Sequence, residues 1–175
     1  ARLILHTALE LFADEGYYTI SISRIADKAG ISKGLMYHYF KSKEELVLEI
    51  IGEGIRQLSE SLDPDHDGIL TVDEFEYFIN ETFSILQSNI DYWKLYFSTM
   101  MQPAVFSLVK EKYPTFLTSL IKIIEGHFIR KGAKEPALEA IYLDSLLYGI
   151  FLNYVLAPDK YPLQEMKKLV LERFK

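Results

Sequence analysis

Apolar side chains recur along this chain at intervals of three and four, the period of a helix with one buried face. Ile4, Leu5, Ala8, Leu9, Leu11 and Phe12 form the first such stripe, and Gly16 is a natural stop for it. Ser21 suits the N-cap of a short second helix whose apolar side is Ile22, Ile25, Ala26 and Ala29, and Gly30 supplies the left-handed turn that follows. Ser32 caps a third helix reaching about Phe40, with Met36 and Phe40 one turn apart on its inner side. Ser42, with Glu45 three residues on, makes a capping box for a longer fourth helix that buries Leu46, Ile50, Ile51, Ile55, Leu58 and Leu62. Phe75, Phe78, Ile79, Phe83 and Leu86 mark another helix. Pro103, Pro114, Pro136 and Pro162 each stand where a further helix can begin. No alternating strand pattern of useful length interrupts the series, so the pattern predicts an all-α protein of about nine helices.

One late segment breaks the amphipathic rule. Residues 141–157 are apolar almost all round, yet Asp144, Ser145 and Asn153 interrupt them and they are too short for a membrane span. Such a helix is either central to the core or buried on one side by the core and on the other by a second subunit. Base-reading helical domains usually work in pairs, which favours the second subunit.

Composition narrows the class. At 175 residues and 49% hydrophobic, with 11 Phe and 12 Tyr, the chain can bury a substantial core and is not disordered. It has no cysteine, which excludes disulfides and cysteine-ligated zinc. No apolar run reaches the length of a membrane span and no signal-peptide layout opens the chain, so a cytoplasmic protein is expected. The sequence begins at Ala1 without methionine, which leaves room for a basic arm ahead of it. The net charge of −6 at first argues against a nucleic-acid partner. Mapped by position it does not: residues 51–80 carry −7, whereas residues 24–43 carry +4 from Arg24, Lys28, Lys33, Lys41 and Lys43 against Asp27 alone.

That basic stretch has the layout of a helix-turn-helix, in which a short second helix enters the major groove and flanking basic and hydroxyl groups hold phosphates. The outward face of the third helix offers Lys33, Gly34, Leu35, Tyr37 and His38. Gly34 permits close backbone approach, and Tyr37 and His38 can donate to phosphate oxygens. Ser21, Ser23 and Arg24 can reach the flanking backbone, and Lys43 at the start of the fourth helix is placed for another phosphate. The stretch LFADEGYYTISISRIADKAGISKGLMYHYFKSKEEL closely resembles the DNA-binding domain of the tetracycline-repressor (TetR) family of bacterial regulators. The likeness rests on Phe12, Gly16, Ile25-Ala26, Ala29-Gly30, Ser32-Lys33-Gly34, Tyr37-His38, Phe40 and Ser42-Lys43, and covers nearly all of residues 1–46. It implies a DNA-binding domain over residues 1–46 and a helical effector-binding and dimerisation domain over residues 47–175. It also implies a homodimer joined by the last two helices, about 137–157 and 162–174, and a small effector that alters DNA affinity. Leu35 departs from the small polar residue common in the family at that position, and favours apolar contact with thymine methyl groups over a hydrogen-bonded base contact.

The acidic window carries a second motif. DPDHDGILTVDE, residues 63–74, fits the twelve-residue EF-hand calcium loop. Asp63, Asp65 and Asp67 supply carboxylates at alternate positions and Gly68 permits the sharp turn. Ile69 would offer its carbonyl, Thr71 a side chain or bridging water, and Glu74 a bidentate carboxylate. The plainer alternative is an acidic connection whose side chains cap helices. EF-hands usually come in pairs, and this chain has one such loop.

Aromatic residues crowd positions 77–154. Such a stripe is mostly core, but the resemblance implies an apolar pocket among them, for which Trp93, Phe97, Met100 and Tyr148 are the candidate contacts. His127 stands alone and is expected to be an ordinary histidine. With no nucleophile motif, phosphate loop or paired His/Glu spacing, an enzyme is the least supported class and no catalytic residue is assigned. The expected function is a DNA-binding transcriptional regulator, a repressor released by a small apolar or aromatic effector, with Ca2+ as its one candidate cofactor. Its expected partners are double-stranded operator DNA, a second copy of the chain and the effector, with no membrane. The rival is a calcium-binding sensor whose tri-helical unit contacts protein.

Overall fold

The computed structural model describes residues 1–175, with every side chain except that of Leu117. It contains ten helices: α1 (Arg2–Glu15), α2 (Ile22–Lys28), α3 (Lys33–Tyr39), α4 (Lys43–Leu62), α5 (Val72–Ser88), α6 (Ile90–Met100), α7 (Pro103–Lys112), α8 (Phe116–Arg130), α9 (Pro136–Leu156) and α10 (Leu163–Phe174). All four prolines stand near helix starts: Pro103 and Pro136 open α7 and α9, Pro162 caps α10, and Pro114 precedes the N-cap of α8. The break that raises the count to ten falls at Asn89 (φ −129°, ψ 45°), between α5 and α6, where neither glycine nor proline announces it. Ser88 Oγ donates to the Ser84 carbonyl and Asn89 Nδ2 to Ser88 Oγ, local bonds that compete with helix continuation.

The helices fall into two compact units. The first holds Ala1–Gly54 and Ile90–Pro114, so that α6 and α7 join α1–α3 and the first part of α4. Its centre is Ile4, Ala8, Leu11 and Phe12 of α1, Ile25 and Ala26 of α2, Met36 of α3, Leu46, Val47 and Ile51 of α4, and Leu95 of α6, all buried. Helix α6 lies along α1. From α6, Tyr92 presses onto α4 and its hydroxyl donates to the Ile51 carbonyl at 3.4 Å, while Tyr113, just past α7, donates to the Leu48 carbonyl at 3.4 Å. Gly52 and Gly54 make room for these rings. A Cβ at residue 54 would stand 2.1 Å from Tyr92 Cζ and Oη.

The second unit holds Ile55–Asn89 and Thr115–Lys175. Helix α8 packs on α9, and α10 on α5 and α9. The core is aromatic: Phe83 meets Phe151 edge-on at 5.6 Å, and Phe128 meets Phe174 at 5.9 Å. Helix α9 buries Ala140, Leu143, Leu147, Ile150 and Phe151 on one side. Its other side leaves Leu138, Ile141, Tyr142, Tyr148 and Leu156 exposed.

Exchanging glycine for alanine inside a helix ordinarily stabilises by about 1 kcal/mol. At residue 54 the sign reverses, because Tyr92 is buried and cannot retreat. Gly54→Ala is expected to destabilise the protein by about 1–3 kcal/mol, read as a lower urea midpoint. A higher midpoint would refute the notch.

Candidate nucleic-acid interface

Helices α2 and α3 have seven residues each, too short to persist alone in water, so caps and burial hold them. Ser21 Oγ accepts from the Arg24 amide at 3.2 Å and Ser32 Oγ from the Leu35 amide at 3.2 Å. Gly30 turns the chain between them at φ 68°. Ile25, Ala26 and Met36 are fully enclosed, and Phe40, the residue that closes α3, is 6% exposed. Met36 is the one buried position of α3. Lys33, Gly34, Leu35, Tyr37 and His38 therefore all face outward together, as does Tyr39. Lys41 Nζ donates to the Tyr37 carbonyl at 3.1 Å and closes the last turn.

Ser21, Ser23 and Arg24 line an open recess of about 530 Å³ with Leu11, Glu15, Asp27 and Lys28. Within it Arg24 Nη2 pairs with Glu15 Oε1 at 2.6 Å, and nearby Lys28 Nζ stands 3.5 Å from Glu10 Oε2. Both pairs are exposed. Such pairs are worth little in water.

Lys43 is held differently. Its ammonium donates to the carbonyls of Tyr17 at 2.8 Å, Ile20 at 3.1 Å and Tyr18 at 3.4 Å, and lies 4.3 Å from the centre of the Tyr17 ring. The Tyr17 hydroxyl in turn donates to Glu44 Oε1 at 3.1 Å. Glu44's own backbone amide, Ser42 and Tyr17 together hold its carboxyl below the usual carboxylate range, while burial pushes the Tyr17 phenol up. The sequence reading missed this arrangement. Its one available signal was a lysine at the first residue of α4, where the helix macrodipole disfavours a cation unless other groups receive it.

In the acidic loop, oxygens of Asp63, Asp65 and Asp67 lie within 4.8 Å of one another. They accept from the loop's own amides: Gly68 donates to Asp63, Asp67 to Asp65, and Ile69 to Asp67 at 2.7 Å. His66 and Gly68 take the left-handed backbone this wrapping needs. Glu74 stands apart from the three aspartates. Its carboxylate accepts from the Thr71 amide at 2.8 Å and the Thr71 hydroxyl at 2.6 Å, in a capping box that opens α5. The loop is anchored at Leu70, fully buried, whose carbonyl accepts from His127 Nδ1 at 3.0 Å and Arg130 Nη2 at 2.8 Å. His127 is thus a core residue, stacked on Phe75 at 4.5 Å and carrying its proton on Nδ1; burial lowers its pKa.

Of the candidate ligand contacts, Trp93, Phe97 and Met100 share α6 in the first unit, with the rings of Trp93 and Phe97 6.0 Å apart. Tyr148 belongs to α9 in the second unit.

Residues 4–50 match the family described as bacterial regulatory proteins, tetR family. Over 178 aligned residues the chain is 26% identical to the fatty acid metabolism regulator protein of Bacillus subtilis (strain 168), covering 97% of this chain and 90% of the relative. Among solved structures, FadR from Bacillus subtilis in complex with stearoyl-CoA aligns at TM-score 0.77 and 22% identity, covering 99% of this chain and 96% of that one. NalD, the secondary repressor of the MexAB-OprM multidrug efflux pump in Pseudomonas aeruginosa, aligns at TM-score 0.71 and 21% identity, covering 99% and 92%. Residues 4–50 thus match the tetR-family model, and the relative aligned along nearly the whole chain is a regulator protein. Among the described residues no helix is long and apolar enough to cross a membrane.

Hydrogen bonds from Thr71 hold the Glu74 carboxyl below the usual value near 4.3, and Glu44 is lowered likewise. A depressed folded-state pKa gives stability that is present above the unfolded value and lost as pH falls through the folded one. The urea midpoint is therefore expected to fall as pH drops from about 5 to 3. Glu74→Gln should lower stability at neutral pH by about 1 kcal/mol or less and flatten that acid decline. An unchanged acid limb in the variant would show that the capping carboxylate does not drive it.

Proposed function

We propose that the chain is a homodimeric repressor in which each subunit lays α3 in a DNA major groove, and which leaves DNA when a long apolar effector binds. The observation that carries the DNA reading is the outward set of α3, five candidate contacts on one short capped helix beside a local charge of +4. Lys33, Tyr37 and His38 meet phosphates or base edges, Gly34 admits close approach, and Leu35 packs on thymine methyls. Ser21, Ser23 and Arg24 take flanking phosphates, Arg24 by exchanging Glu15 for the DNA backbone. Residues 1–46 act as the DNA-binding domain and residues 47–175 as the effector and dimerisation domain. The exposed apolar side of α9, with α10 beside it, serves as the subunit interface. Such a regulator works in the cytoplasm, where operator DNA is.

For the effector, the likeness to a fatty acid metabolism regulator along nearly the whole chain supports a long-chain acyl group or its coenzyme A thioester. Trp93, Phe97 and Met100 are its candidate contacts in the first unit. Helix α6 lies on α1, and its Tyr92 is seated against α4 at Gly54, so a ligand that displaces α6 acts directly on the helices framing α2 and α3. Purified protein is expected to enrich specific fragments from a genomic DNA pool, and stearoyl-CoA should release them while coenzyme A alone does not. Lys33→Ala combined with Tyr37→Phe should weaken binding about tenfold or more. Failure to enrich any fragment would sink the DNA reading; release by neither acyl-CoA nor free fatty acid would sink the effector.

A second reading concerns calcium. Three carboxylates within 4.8 Å repel one another, and a divalent ion would relieve that repulsion. Asp63, Asp65, Asp67, the Ile69 carbonyl and Thr71 are the proposed ligands, with Glu74 joining only after leaving its capping bonds to Thr71. Millimolar Ca2+ is expected to raise Tm by about 2 °C or more over a chelator control, and Asp65→Ala to abolish the shift. An unchanged Tm removes calcium from the account.

A further inference from the structure

The geometry points to Lys43 as a positioning residue for DNA binding: it sets where α2 begins and does not ligate phosphate. This rests on the DNA-binding reading above and reassigns one residue within it. An ammonium has three donors, and Lys43 directs all three at the carbonyls of Tyr17, Tyr18 and Ile20. Its fourth side is covered by the Tyr17 ring, which is 5% exposed and pinned at its hydroxyl by Glu44.

The three carbonyls belong to the turn between α1 and α2. That turn has no helical or sheet ladder to satisfy it, so its acceptors need partners from elsewhere. Thr19 Oγ1 donates to the Glu15 and Gly16 carbonyls, at the end of α1. Lys43 supplies three more, from the first residue of α4. The turn ends at Ser21, the N-cap that starts α2 and the first of the groups proposed to flank DNA. One ammonium thus ties the start of α2 to the start of α4, at the same helix end where Ser42 caps the Glu45 amide at 3.1 Å. Arg24 makes the contrast: its single exposed carboxylate partner can be traded for a phosphate. Moving Lys43 to a phosphate would strip three carbonyls at once.

The two roles separate in the salt dependence of binding to a mixed-sequence DNA duplex, measured from about 50 to 200 mM salt. A phosphate ligand contributes to the slope of log affinity against log salt, and removing it flattens the slope by about 0.9 per subunit. A positioning residue shifts the line without tilting it. Lys43→Met is expected to weaken binding about tenfold at every salt concentration, with the slope unchanged, and to lower Tm by about 4 °C or more. Lys43→Arg is the second variant and keeps the fold under test should methionine prove too disruptive. It retains the charge but presents a planar fork in place of a three-way donor, so it too should lose affinity and Tm at constant slope. A flattened slope in Lys43→Met, or full affinity in Lys43→Arg, would overturn the assignment. If the wild-type protein shows no salt-dependent binding to any duplex, the DNA reading fails. Lys43 is then judged on Tm alone, and an unchanged Tm in Lys43→Met overturns the clamp.

Discussion

The first unit is governed by the instability of very short helices. A seven-residue helix fixes several backbone dihedrals for few hydrogen bonds, and helices below about 12–15 residues are marginal in water even with favourable composition. Helices α2 and α3 therefore exist only as far as their surroundings hold them. Ser21 and Ser32 satisfy amides at their starts, Ile25, Ala26 and Met36 supply the buried contacts, and Lys41 and Lys43 tie off carbonyls at their edges. Because so few inward positions suffice, nearly all of α3 is left to face outward. The weakness that makes the helix dependent on its neighbours also lets it present an almost uninterrupted polar and aromatic face.

Net charge says little about such a protein, and the local commitments of each cation say much more. Four of the five basic residues in the patch fall into two kinds. Arg24 and Lys28 rest on exposed carboxylates of α1, pairs that stabilise weakly. Lys41 and Lys43 are spent on backbone carbonyls. On the assignment of Lys43 proposed above, counting all five basic residues between 24 and 43 as phosphate ligands overstates the salt sensitivity of binding. Electrostatic attraction draws on the whole patch, whereas counterion release follows only the groups that reach phosphate.

Much of this was legible in the residues. The stripes of α1, α4 and α5, the caps at Ser21 and Ser32, and the Gly30 turn follow from spacing and local chemistry, and the structure has them in place. What escaped depended on distance along the chain or on competition between local bonds. The carbonyls that receive Lys43 lie 23–26 residues earlier, and no helical period connects them. The α5–α6 break at Asn89 has no glycine or proline to mark it. The burial of His127 against Leu70 and Phe75 spans two helices and a loop that periodicity treats separately.

The acidic loop shows a different kind of limit, in which one spelling encodes two chemistries. Thr71-Val-Asp-Glu74 is the capping-box pattern, and Glu74 is also the twelfth position of a calcium loop. The structure has the box in place: Glu74 accepts from two donors of Thr71, and Thr71 accepts from the Glu74 amide in the first turn of α5. The three aspartates meanwhile bind the loop's own amides and shape a turn that Leu70 anchors from below through His127 and Arg130. An ion would have to draw Glu74 out of an existing hydrogen-bonded cap as well as order the aspartates, so its affinity would be reduced by the strength of that cap. The capping box and the calcium loop compete for one carboxylate, and the helix start holds it by default.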